Sequence, residues 1–90
     1  MYEWGRSKKL EKVLKKLFKK DKIRYEATLK KINDVINSEN PHHYKNLSHD
    51  MREFKRVHID KSFILIIKVD ENKKTIKFED LQHHDDIYIR

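Results

Sequence analysis

The chain contains no cysteine, one glycine and one proline among its 90 residues. Without cysteine it cannot build a disulfide framework, a thiolate zinc site or a cysteine nucleophile. A single glycine, Gly5, leaves no glycine-rich phosphate loop and no dinucleotide fingerprint. No apolar run approaches the length of a membrane span, about 18 residues. The opening Met-Tyr-Glu-Trp-Gly-Arg lacks the apolar core of a secretory signal, so a cytoplasmic protein is expected. A chain of 90 residues predicts one domain, 1–90, with a small and simple core.

Charge is abundant instead. Charged residues make up 41% of the chain, but 22 Lys and Arg stand against 15 Asp and Glu, which leaves +7. The apolar residues recur in periodic runs, which disordered chains lack. The charge is also uneven. Residues 6–31 hold twelve basic and three acidic residues, whereas residues 78–89 hold Glu79, Asp80, Asp85 and Asp86 with no Lys or Arg. A basic segment of that density suits a polyanionic partner, and equally a solvated helix face.

The apolar spacing predicts the elements. Residues 2–5, with Tyr2 and Trp4, read as a short first strand. Ser7 is a natural N-cap for a helix whose apolar face is Leu10, Val13, Leu14, Leu17 and Phe18. Asp21 caps a second helix built on Tyr25, Leu29, Ile32, Val35 and Ile36, and the run ending in Pro41 stops it. With so few residues between them, the helices should fold back as an antiparallel hairpin. The period then changes to two. Phe54–Ile59 alternates, with Arg56 and His58 opposite Val57 and Ile59. Residues 62–69 carry Phe-Ile-Leu-Ile-Ile, which marks a central strand. A turn at Asp70-Glu71-Asn72-Lys73 leads to Thr75–Glu79, with Ile76 and Phe78 facing in. The expectation is an α+β fold: a short N-terminal strand, a two-helix hairpin and a three-stranded antiparallel meander completing a small twisted sheet. The central strand is apolar on both faces, and one hairpin covers only one. The other face, with Ile64 and Ile66, should leave an apolar patch for a partner unless Ile87 and Ile89 of the tail cover it.

Six histidines offer chemistry near neutral pH. His83-His84-Asp85-Asp86 has metal-binding residue types, but adjacent strand residues point to opposite faces, and helical metal pairs sit three or four apart. No metal and no cofactor are expected. His42 and His43 adjoin a proline and read as solvent-exposed loop residues. His58 lies on a strand face beside Arg56. Two histidines can supply the base and acid of RNA self-cleavage, with cations on the phosphate.

The second half resembles the RelE/ParE superfamily of toxins from type II toxin–antitoxin modules, most of all its YafQ-like branch. The resemblance rests on Tyr44-Lys45-Asn46-Leu47, Phe54-Lys55-Arg56-Val57-His58-Ile59, Phe63-Ile64-Leu65-Ile66-Ile67-Lys68-Val69-Asp70 and His83-His84-Asp85-Asp86-Ile87-Tyr88. It implies a RelE-like fold and a ribosome-dependent mRNA endoribonuclease held inactive by a cognate antitoxin, with ribosome and mRNA as further partners and no membrane. By position, His58 stands at the strand histidine of the YafQ-like branch, and Arg56 at the arginine two residues before it. His84 stands at the catalytic histidine or arginine of the tail. The strand arginine and tyrosine of many RelE members are Ile64 and Ile67 here, and the glycine before the aromatic of the preceding strand is Glu53. The ParE branch uses the same fold to inhibit gyrase without cutting RNA, and a basic nucleic-acid-binding module is a third reading. The expected catalytic set is His58, His84 and Arg56. The expected RNA-binding set is Lys45, Lys55 and Lys68 together with Lys8, Lys12, Lys15, Lys16 and Lys19.

Overall fold

The computed structural model describes residues 2–48 and 51–85, and the structural statements below concern those. Strand β1 (Glu3–Arg6) leads into helices α1 (Lys8–Lys20) and α2 (Lys22–Ile36). A 3₁₀ turn, Pro41–His43, precedes the strands β2 (Asn46–Ser48), β3 (Met51–His58), β4 (Phe63–Asp70) and β5 (Thr75–His83). They form one sheet in the order β1-β5-β4-β3-β2, in which β1 runs parallel to β5 and the other neighbours are antiparallel. The expected α+β architecture is therefore present. Strand β2 and the extension of β5 to His83 go beyond the expected pattern. Neither segment alternates cleanly enough to declare itself in sequence.

The helix starts follow their caps. Ser7 accepts a hydrogen bond from the Leu10 amide at 3.0 Å, and Asp21 accepts one from the Arg24 amide at 3.1 Å. Asp21 alone separates the two helices. Their buried face, with Leu10, Leu14, Ile32 and Val35, packs on Val57, Leu65, Ile67, Val69, Ile76, Phe78 and Leu81 of the sheet. Burying each large apolar side chain contributes about 1.5–3 kcal/mol. Phe18 falls off this face, half exposed, with its ring edge-on to Tyr25.

The expected open patch on the far side of the central strand does not occur. Ile64 is fully buried and Ile66 is 7% exposed, although neither belongs to the helix-side cluster. Ile87 and Ile89, the alternative cover, lie outside the described residues.

Strand β5 contains a bulge. Ile66 pairs with Asp80 and Ile67 with Phe78, so Glu79 is an extra residue. The bulge explains why Phe78 and Leu81, three apart, both face the helices. It is held by the start of α1. The Ser7 amide donates to the Phe78 carbonyl at 2.9 Å, and the Ser7 hydroxyl donates to the Glu79 carbonyl. Asp80 is buried, and it accepts from the Leu81 amide at 2.8 Å and from the Gln82 amide group at 2.7 Å. Lys9 approaches it at 3.0 Å. Ser7 thus caps a helix and satisfies a bulge carbonyl together. Ser7→Ala should destabilise the protein by about 1–2 kcal/mol, at the upper end of cap losses, and Ser7→Thr by much less. Urea denaturation of the two variants checks this.

Candidate functional site

The bulge sets the orientation of the end of β5. Leu81 and His83 share the helix-side face, where the His83 ring meets Phe63 edge-on at 5.2 Å. The next residue, His84, then turns to the opposite side. Its amide donates to the Ser62 carbonyl at 2.7 Å, which ties it to the β3–β4 turn. That turn is built by Asp60, whose carboxylate accepts from the Ser62 and Phe63 amides at 2.7 and 2.9 Å. Slight burial works against ionisation of Asp60, but those two amides and Arg24 overcome it and hold its carboxyl below the ordinary value. Arg24 lies 4.0 Å over the Phe63 ring and 2.8 Å from Asp21, and so links α2 to this turn.

On strand β3 the alternation is as expected. Val57 is buried against the helices, while Arg56 and His58 lie on the other face. The His58 and His84 rings come together there, with centroids 6.5 Å apart and planes 33° apart. Residues 26 positions apart in the chain are thus neighbours on one surface.

Beside this pair, a groove of about 260 Å³ runs along the outer edge of β3, lined by Lys31, His43, Tyr44, Lys45, Arg56, Val57 and His58. The Arg56 amide also donates to the Lys45 carbonyl at 2.9 Å. Lys45 and Lys68 are exposed, and Lys68 sits 5.6 Å over the Phe54 ring on the same face as Arg56. Lys55 is a correction. It shares the helix side with Val57, is only 9% exposed and donates to the Asn46 side chain, so it does not reach a polyanion. Lys8, Lys12, Lys15, Lys16 and Lys19 stay exposed on α1, the helix that packs over β5, two strands from the groove. Among the described residues no group of three His, Asp or Glu is arranged to hold a metal ion, and no helix is long and apolar enough to cross a membrane.

His43 is exposed and His42 partly exposed, and both rings have defined partners. The His43 Nδ1 is 2.6 Å from the Asn40 carbonyl, and its ring lies tilted against that of Tyr44. His42 Nε2 lies 3.0 Å from Glu71. Glu71 gathers further contacts: the Tyr2 hydroxyl donates to both its oxygens, at 2.8 and 3.0 Å, and Lys74 bonds it as well. Lys74 itself takes a left-handed backbone conformation, φ 54°, to complete the β4–β5 turn. Sequence reasoning missed Lys31, His43 and Tyr44 as groove residues. The available signal was slight: Lys31 borders the buried Ile32, and the two rings adjoin Pro41.

No protein-family model matches the chain. A protein of Methanocaldococcus jannaschii named "Putative toxin RelE4" is 54% identical over 88 residues, covering 98% of this chain and 92% of the relative. The chain belongs to the RelE superfamily of toxins. Solved structures share the fold of this RelE-type chain at low identity. A YoeB/ParE toxin from Agrobacterium tumefaciens aligns with a TM-score of 0.73 at 11% identity, covering 91% of this chain and 98% of that one. A chain of the E. coli DinJ-YafQ toxin-antitoxin complex aligns with a TM-score of 0.65 at 18% identity, covering 97% of each.

The contacts around Glu71 fasten the turn that presents His43 and Tyr44 to the groove of this RelE-type toxin. Lys74, and then the Tyr2 hydroxyl, pull the Glu71 carboxyl down from 4.5 to about 2. A carboxylate whose folded value is depressed stabilises the fold above its unfolded value, and that contribution fades as pH falls through the folded value. Glu71→Gln should therefore flatten the acid limb of the stability curve between pH 4.5 and about 2. The difference from wild type should shrink in high salt, because the group is exposed. Thermal melts across that pH range provide the measurement.

Proposed function

We propose that this RelE-superfamily toxin is a metal-independent endoribonuclease that cuts mRNA on the ribosome. The observation that carries the reading is the meeting of His58 and His84 beside the Arg56 groove. Two imidazoles at that separation have reach to one phosphate. In the reaction, one imidazole takes the proton of a ribose 2′-hydroxyl. The 2′-oxygen attacks the adjacent phosphorus, the bond from phosphorus to the 5′-oxygen breaks, and the other imidazole protonates that leaving oxygen. The products are a 2′,3′-cyclic phosphate and a 5′-hydroxyl. Arg56, aided by Lys45 and Lys68, would neutralise the crowded phosphate. The cognate partner in this reading is an antitoxin. The support is family membership, together with the similar fold of a chain from the DinJ-YafQ toxin-antitoxin complex. The density of Lys and Arg suits acidic partner segments.

His58→Ala and His84→Ala should each lower the cleavage rate by about 10²–10⁴-fold. The double variant should lose less than the product of the two, because the pair acts as a unit. A primer-extension assay of cleavage on translating ribosomes checks this. A fully active His84→Ala would remove the two-histidine mechanism, and supercoiling inhibition without cleavage would move the protein to the gyrase-inhibitor reading.

The α1 lysines would act as a diffuse footprint on ribosomal RNA, neutralising phosphates without reading bases. Replacing Lys8, Lys12, Lys15, Lys16 and Lys19 by Gln should weaken ribosome binding and flatten its salt dependence. Each phosphate left without its lysine lowers the slope by about 0.7–0.9. Folding should hardly change. Lys55→Met should leave the slope as it is. Filter-binding titrations over a range of salt concentrations distinguish these cases.

A further inference from the structure

We infer that the closely packed His43–Tyr44 ring pair is a shelf for one nucleobase of single-stranded RNA. The inference rests on the RNA-cleaving reading of the same groove and adds a base subsite to it. The two ring centroids are 3.9 Å apart with planes 36° apart, so the rings are in close, tilted contact. Tyr44 is the half-buried member, and burial, with the charge of Asp34, pushes its phenol above the ordinary value. It stays neutral and backs the outer ring. His43 is the exposed member and lines the groove, which leaves ring surface open for a third layer.

The outer ring is held in place before anything binds. A carbonyl oxygen only accepts, so the 2.6 Å contact with Asn40 puts the proton on Nδ1 and fixes the ring's rotation. The Asn40 side chain in turn accepts from the His42 amide at 3.1 Å. A pre-oriented ring loses little freedom when a base stacks on it. The surroundings favour nucleic acid over an apolar side chain. Lys31, Lys45 and Arg56 ring the same groove, and they match the phosphates on either side of a stacked base. The groove's volume of about 260 Å³ lies just below the range for drug-sized ligands, which suits a single base. Every base has a flat face, so such a shelf takes any base and adds affinity without sequence readout.

The test uses a short single-stranded RNA that cannot be cut, 2′-O-methylated throughout, with 2-aminopurine as one base and a fluorescein at one end. Anisotropy reports binding, and quenching of 2-aminopurine reports stacking. The wild-type chain should bind at low salt and quench. His43→Ala and His43→Gln should bind about 5- to 150-fold more weakly and lose the quenching, the scale of one aromatic–base stack. His43→Phe, which keeps a flat ring and cannot titrate, should restore both. Circular dichroism melts confirm that each variant is folded. Wild-type binding without quenching, a failure to bind at low salt, or a His43→Phe that behaves like His43→Ala would overturn the shelf. Failure of the cleavage reading shows itself separately, as intact quenching with uncut mRNA on ribosomes.

Discussion

One extra residue in β5 governs the second half of this molecule. Strand β4 demands apolar partners on its helix side at Leu65, Ile67 and Val69. Strand β5 answers with Ile76, Phe78 and Leu81, a set that strict alternation cannot present to one face. The bulge at Glu79 resolves the conflict, and its exposed backbone groups are taken up by Ser7 at the start of α1. The same phase shift carries His83 to the helix side, and His84, just past the end of β5, lies beside His58. The demands of core packing thus decide the composition of the candidate site.

The sheet divides labour between its faces. The helix side is the apolar core, with the nearly buried Lys55 tied to Asn46 at its margin. The other side buries Ile64 and Ile66 but offers Arg56, His58 and Lys68 from β3 and β4. At the β3 edge, the loop after α2 adds a wall to that surface. This wall depends on contacts far from it in sequence. Tyr2, His42 and Lys74 converge on Glu71, joining the first residues, the 3₁₀ turn and the β4–β5 turn. An exposed ionic cluster contributes little global stability, but here it fixes the position of a loop.

Much of this is legible in the order of the residues alone. The 3.6-residue spacing of α1 and α2, the caps Ser7 and Asp21, and the alternation of β3 follow from local stereochemistry and from the need of each element to hide one face. So does the side of the sheet that His58 and Arg56 share. The order of elements and the Arg56-Val57-His58 and His83-His84 signatures lead to the superfamily, to which the 54% identical relative also leads. Local pattern is silent where the pattern is broken or where partners are distant. The sequence pattern of β5 ends at Glu79, because a bulge looks like a strand end when read one residue at a time. Lys55 reads as a surface cation because lysine seldom lies on a core face. His42 reads only as a solvent-exposed loop residue because its partner, Glu71, lies far away in the chain, whereas the partners of His43, Asn40 and Tyr44, are close by. Only the tertiary structure decided that His58 and His84 meet, since their distance is set by sheet register and by one bulge, neither of which a one-dimensional periodicity encodes.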